Sequence, residues 1–257
     1  MRYIIWAPPY DSTSGGIKVL HKLCHEMRVL GYDAYLNVSS SSGWDTPCFQ
    51  GNIEDDCVAI YPEIVFGNPI GCKKVVRWVL NKPGKIGGPT EYDPTDYVYA
   101  FHKMFYSVDN DHVLLLPVIE TDIFKDKHLD RVSAVYYIGK GGNTPRIPET
   151  NGLIEITRGT AQNPENLSNI LNQSTVMYCY DNITAMTEIA RLCGCPVCII
   201  PDREHTKEER DTHEFGWNGL AWGTEIPKID SDKFRETYLH SYDIFKETIH
   251  RLVKETS

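Results

Sequence analysis

Apolar positions along the chain fall into short runs separated by polar, glycine-bearing stretches. The opening run RYIIWAPP has the continuity of a buried strand, and the loop YDSTSGG follows it. From Gly16 the period changes. Leu20, Leu23, Cys24, Met27 and Leu30 recur at helical spacing and Gly31 closes the pattern as a C-terminal cap. DAYLNV reads as a second strand, CVAIYP and KVVRWVL as two more that are apolar enough to be buried on both faces, and VLLLP as another. Between them SSSSGWDTPCFQGNIEDD is a long polar loop, either mobile or reaching over a ligand.

The charged segment PVIETDIFKDKHLDR lacks periodicity, and beyond it the alternation restarts. SAVYYIG, GLIEIT, TVMYCY and PVCIIP are strand candidates, with the helices NPENLSNILNQ and NITAMTEIARLCG between them. Near the end, Phe234, Tyr238, Phe245, Ile249 and Val253 share one face of a long amphipathic helix, expected to pack on its own domain, with a return to brace the first half as the alternative. Strands alternating with helices predict an α/β fold with mostly parallel sheets, in two Rossmann-like domains over residues 1–120 and 121–257.

Composition narrows the class. With 41% hydrophobic and 24% charged residues the chain is neither disordered nor fibrous, and no apolar run is long enough to span a membrane. The eight cysteines sit within apparent helices and strands, as in a reducing compartment. Together these features predict a cytoplasmic protein. Cys193, Cys195 and Cys198 lack a second cluster at zinc-ligand spacing and read as packed thiols, so no metal site is expected. A net charge of −9 argues against broad attraction to polyanions.

Three segments carry candidate chemistry. Ser12 to Gly16 joins a strand to a helix, where backbone N–H groups can meet an anion and Gly15 and Gly16 allow close approach. IGKGGNTPR places Lys140 and Arg146 around a Gly-Gly turn after a strand, which suits a diphosphate; a solvated basic turn would look the same. It has neither P-loop nor dinucleotide spacing. In YCYDNITAMTEIARLCGCPVCIIPD, either Asp181 or Asn182 can cap the helix, and Thr184 and Glu188 fall on the side opposite Ile183, Met186, Ala190 and Cys193.

The arrangement E-x-A-x-x-x-G-x-P-V, here Glu188, Ala190, Gly194, Pro196 and Val197, resembles the donor-binding segment of glycosyltransferase family 4 and its GT-B relatives. The opening SGGIKVLHKLCHEMRVLGYDAYL is similar to that family's first loop and helix. Blocks such as APPYDSTSGG and YPEIVFGNP also resemble short glycosyltransferase relatives from surface-polysaccharide clusters. The resemblance covers most of the chain. It implies a GT-B fold with the two domains facing a cleft, a nucleotide-sugar co-substrate with no other cofactor, Glu188 on the donor ribose, and Lys140 on the diphosphate. The family has a second glutamate eight residues before the ribose-binding one, and this chain has Tyr180 there.

The reading that follows is a metal-independent transferase that moves a sugar from a nucleotide donor to an acceptor hydroxyl. Donor contacts are expected from Gly15, Gly16, Lys140, Arg146, Tyr180, Asp181, Asn182, Thr184 and Glu188. Glu63 and Asp11 are the candidates for a general base, with His102 a weaker third. Tyr61, Trp78, Tyr92 and Tyr97 could stack on a sugar or base. A surface glycan is the favoured acceptor. A hydroxymethylated base in phage DNA is the rival, with Lys73, Lys74, Arg77, Lys82 and Lys85 as its phosphate track, and the protein would then work in the cytosol of the phage's host. An inactive nucleotide-sugar or glycan binder is the non-enzymatic alternative.

Overall fold

The computed structural model describes residues 1–211 and 215–257. Unit 1 comprises Met1–Val118 and Ser241–Ser257, and unit 2 comprises Ile119–His240. Each unit contains one five-stranded sheet whose neighbouring strands all pair in parallel.

In unit 1 the chain forms β1 (Arg2–Ile5), α1 (Gly15–Val29), β2 (Asp33–Leu36), β3 (Cys57–Pro62), β4 (Lys74–Val79) and β5 (Tyr97–Ala100), in the spatial order β2-β1-β3-β4-β5. Ser14 caps α1 by accepting a hydrogen bond from the Ile17 N–H. At the other end Gly31, at φ +86°, lets the N–H of Tyr32 reach the Met27 carbonyl and its own N–H reach that of Arg28. This Schellman closure is the one the sequence pattern predicted.

Side chains alternate across the sheet. Tyr3, Ile5, Val58, Ile60, Val76 and Trp78 pack with α1 residues Leu20, Leu23 and Met27, while Ile4, Ala59 and Tyr61 face a second layer built with Val65, Cys72 and Val75. Only the first crossover of unit 1 is an α-helix; the later ones are loops. The expected regular alternation of strand and helix therefore does not hold here, because segments 37–56, 63–73 and 80–96 are rich in Gly, Pro and polar residues. The long polar loop after β2 packs against the fold, with Trp44 lying between Lys22 and His25 of α1. VLLLP is buried but pairs with the sheet only through a bridge from Val113 to Ala100.

Unit 2 forms β6 (Ser133–Tyr137), β7 (Ile154–Ile156), α2 (Arg158–Ala161), α3 (Pro164–Asn172), β8 (Ser174–Cys179), α4 (Met186–Leu192), β9 (Val197–Ile199), α5 (Lys207–Asp211) and β10 (Leu220–Trp222). Its spatial order, β10-β9-β8-β6-β7, is the order of unit 1 repeated: the first two strands lie on one side and the rest build outward on the other. α4 ends with the same closure as α1, from Gly194 at φ +70°.

The last helix, α6 (Ser231–Thr256), belongs to unit 2 through residue 240 and to unit 1 from residue 241. The favoured expectation that it packs wholly within the second half is corrected, and the alternative of a return to the first half is the one observed. Phe234 meets Phe215 within unit 2, whereas Phe245, Ile249 and Leu252 join the core around Tyr3 and Ile5. Its apolar face carries side chains suited to both cores.

No helix among the described residues is long and apolar enough to cross a membrane. All eight cysteines are free, and burial pushes the Cys193 thiol up to about 12 and that of Cys198 to about 11, as suits packed thiols.

Candidate functional site

A doubly wound parallel sheet opens a crevice at the carboxyl ends of its strands, where successive connections depart in opposite directions. In unit 2 that point lies between β6 and β8. The loop after β6 carries Lys140 and Arg146, and the loop after β8 carries Tyr180, Asp181, Asn182 and Thr184.

These two loops are locked together. Asp181 is buried; its Oδ2 accepts the Lys140 backbone N–H at 3.0 Å and its Oδ1 accepts that of Ile183 at 3.2 Å. The Lys140 ammonium donates to the Ile183 carbonyl at 3.0 Å and lies 4.0 Å from Asp181 Oδ1, yet its side chain stays 64% exposed. Burial raises the Asp181 carboxyl above its ordinary range, against the pull of Lys140 and the two N–H donors. The Arg146 guanidinium lies 4.4 Å from the centre of the Tyr180 ring, and the Tyr180 hydroxyl accepts the Ile147 N–H at 3.0 Å and bonds to Thr150. Glycine is required where the loops touch. A Cβ on Gly139, at φ +50°, would strike the Asp181 carboxylate, and one on Gly141 would strike the Tyr180 carbonyl. Lys140, Arg146, Tyr180, Asp181 and Asn182 are thus gathered at one sheet edge.

Two expectations for this region are corrected. Neither Asp181 nor Asn182 caps α4, which starts later, at Met186, because Asp181 is engaged by Lys140 and Ile183; Thr184 lies outside the helix and its hydroxyl accepts the Met186 N–H. Glu188 does not face solvent beside Thr184. It is 5% exposed, and its Oε1 accepts from the Thr187 hydroxyl at 2.8 Å and from Arg191 at 3.1 Å, with Arg210 at 3.5 Å. Arg191 is fully buried and also donates to the carbonyls of Thr187, Phe215, Gly216 and Asn218. Burial pulls its pKa down to about 10 although Glu188 acts to raise it.

Sequence reasoning passed over an acid–imidazole pair after β9. Asp202 accepts the backbone N–H groups of Glu204 and His205 and holds His205 Nδ1 at 2.9 Å from its Oδ2. Burial acts to raise the Asp202 carboxyl, but His205 and the backbone donors hold it below the ordinary range. The pair is not the cap of α5, since Thr206 and Glu209 already form a reciprocal capping box there. The spacing of Asp and His in PDREH was the available signal.

In unit 1 the corresponding point lies between β1 and β3. Gly15 and Gly16 are exposed at the start of α1, and a Cβ on either would meet nothing, so their backbone is open to a ligand. Asp11 is exposed in an Asx turn that accepts from the Thr13 N–H and hydroxyl. Glu63 is 2% exposed at the end of β3, and its Oε2 accepts the Leu80 N–H at 2.9 Å. Burial raises its carboxyl above the ordinary range in spite of the backbone donors. A carboxyl raised in the folded state holds a proton that the unfolded chain has lost, so the parent loses stability as pH rises through the raised value. Glu63→Gln keeps an acceptor for Leu80 without that titration. Its stability relative to the parent should improve from pH 4 to pH 8 in urea unfolding; a constant difference would contradict the assignment.

Other candidates are consumed by the fold. Tyr61 and Trp78 are fully buried core residues, unavailable for stacking, and His102 is buried against Phe101 and Phe105. Of the proposed phosphate track, Arg77 is buried in an ion pair with Asp96 at 2.7 Å, and Lys74 donates to the Thr256 carbonyl at 2.6 Å.

Among the described residues no group of three or more His, Cys, Asp or Glu side chains is placed to hold a metal ion. In comparisons with known proteins, no family model and no curated protein matches the chain.

Proposed function

We propose that the protein is a nucleotide-sugar-dependent glycosyltransferase of the GT-B type, with a glycan hydroxyl as acceptor. The observation that carries this reading is the convergence of Lys140, Arg146, Tyr180, Asp181 and Asn182 at the switch point of a doubly wound sheet. The repeated strand order of the two units supports it.

In this reaction the bond between the anomeric carbon and the diphosphate breaks, the acceptor oxygen bonds to that carbon, and the acceptor proton passes to a base. Lys140 and Arg146 are exposed cations at the site, suited to the charge that gathers on the departing diphosphate. Glu63 has the raised, buried carboxyl that suits a base at neutral pH. Asp11 lacks that environment. Glu188, committed to Arg191 and Arg210, serves the fold of the donor-side unit in this scheme.

Lys140→Ala should weaken nucleoside diphosphate binding about tenfold, the equivalent of about 1.4 kcal/mol, in calorimetric titration. Equal affinity in variant and parent would return the turn to a solvated surface.

A further inference from the structure

Asn182 is 3% exposed, and among the described residues neither its Oδ1 nor its Nδ2 has a hydrogen-bond partner. Its neighbours differ. Tyr180 is bonded through its hydroxyl to Ile147 and Thr150, and Asp181 is bonded to Lys140 and Ile183. The loop's architecture is therefore accounted for without the Asn182 amide.

A buried amide with no partner carries the full penalty of its desolvation, whereas an apolar side chain of the same shape carries none. Leucine has nearly that shape. A fold shaped for stability alone would have no use for the amide, and local rules are broken in this way where function demands it. The position is the switch point of the unit 2 sheet, where ligands of α/β proteins bind.

The carboxamide itself limits what it can bind. It offers two N–H donors and a carbonyl acceptor side by side. A phosphoryl group supplies only acceptors and would leave Oδ1 unmet, and an apolar group would leave both ends unmet. Adjacent hydroxyls on a sugar ring donate and accept together; a base edge does so too, and a dideoxynucleotide separates the two. We propose that Asn182 is a ligand-contacting residue that binds a pair of vicinal hydroxyls of the sugar nucleotide. Both amide atoms are shielded from solvent, so binding includes a local opening of residues 182–185, which lie outside regular structure. The identity of the ligand rests on the glycosyltransferase reading; the amide's role as a ligand contact rests on its burial without partners.

The test compares Asn182→Leu with the parent in two measurements. In thermal melting without ligand, the variant should melt higher, by about 3 °C. A lower melting temperature would mean that the amide serves the fold, and would overturn the proposal. In calorimetric titration with the glucose conjugates of uridine, guanosine and adenosine diphosphate, the variant should bind at least tenfold more weakly than the parent to whichever probe the parent binds. Unchanged affinity overturns the proposal and leaves the glycosyltransferase reading intact. If the loss also appears with the nucleoside diphosphate alone, the hydroxyls are those of the ribose; a loss confined to the conjugate assigns them to the transferred sugar. A loss that persists with the 2′,3′-dideoxynucleoside diphosphate overturns the hydroxyl assignment. If the parent binds none of these probes, its donor is not one of these conjugates, and a lower melting temperature of the variant still overturns the proposal.

Discussion

Glu188→Gln should lower the stability of unit 2 by about 3 kcal/mol, the usual consequence of removing one partner from a buried ion pair. The fully buried Arg191 guanidinium, 3.1 Å from Glu188, would lose its countercharge, and Arg210 would lose the same carboxylate. Glutamine keeps an acceptor for the Thr187 hydroxyl, so the loss measures charge rather than shape. Truncating Arg191 as well would not restore stability, because the carbonyls of Phe215, Gly216 and Asn218 would lose their donor. Urea unfolding followed by hydrogen exchange at α4 amides reports the change. A loss below about 1 kcal/mol, the range of exposed pairs, would show that the carboxylate is dispensable to the fold and would restore it as a candidate for the ribose.

Gly141→Ala should be as damaging for a different reason. The backbone of Gly141 is not in the left-handed region, so an alanine there meets no conformational barrier of its own. Its Cβ would overlap the Tyr180 carbonyl, forcing apart the two loops that carry Lys140 and Asp181. Overpacking of this kind costs about 2 to 3 kcal/mol. Any ligand held by both loops should be lost with their alignment. Gly142→Ala is the control, since a Cβ there meets nothing within 4 Å and should change stability by less than about 0.5 kcal/mol. Melting curves and ligand titration on both variants make the comparison. Equal behaviour of the two would mean that the loops are not in the contact described.

The central strands of both sheets were legible as apolar runs because burial on two faces leaves little room for polar residues. β5 and β10 were not read. Both are short edge strands, YVYA and LAW, embedded in polar sequence. VLLLP misled in the opposite direction: its leucines are buried, but its backbone makes one bridge rather than a ladder. At the site, the Gly-Gly turn with Lys140 could be found from residue types alone. The environment of Glu188 could not, because α4 is buried on nearly every side, so the face opposite Met186 and Ala190 is enclosed as well, and because its partner Arg210 is distant in sequence. The isolation of the Asn182 amide is likewise a property of its surroundings, which no local pattern encodes.

The return of residues 241–257 to unit 1 bears on how the protein is made. Unit 2 is one continuous stretch of chain, and all of it leaves the ribosome before Ser241 does. Unit 1 receives Phe245, Ile249 and Leu252, and the bonds from Tyr99 to Glu255 and from Tyr3 to Thr256, only after that stretch has been synthesised. At about 5 to 20 residues per second, the interval between Val118 and Ser241 is on the order of ten seconds. Throughout it, the apolar face of the first sheet lacks its second helix, and chaperones have that long to bind it. The half translated first is the half completed last.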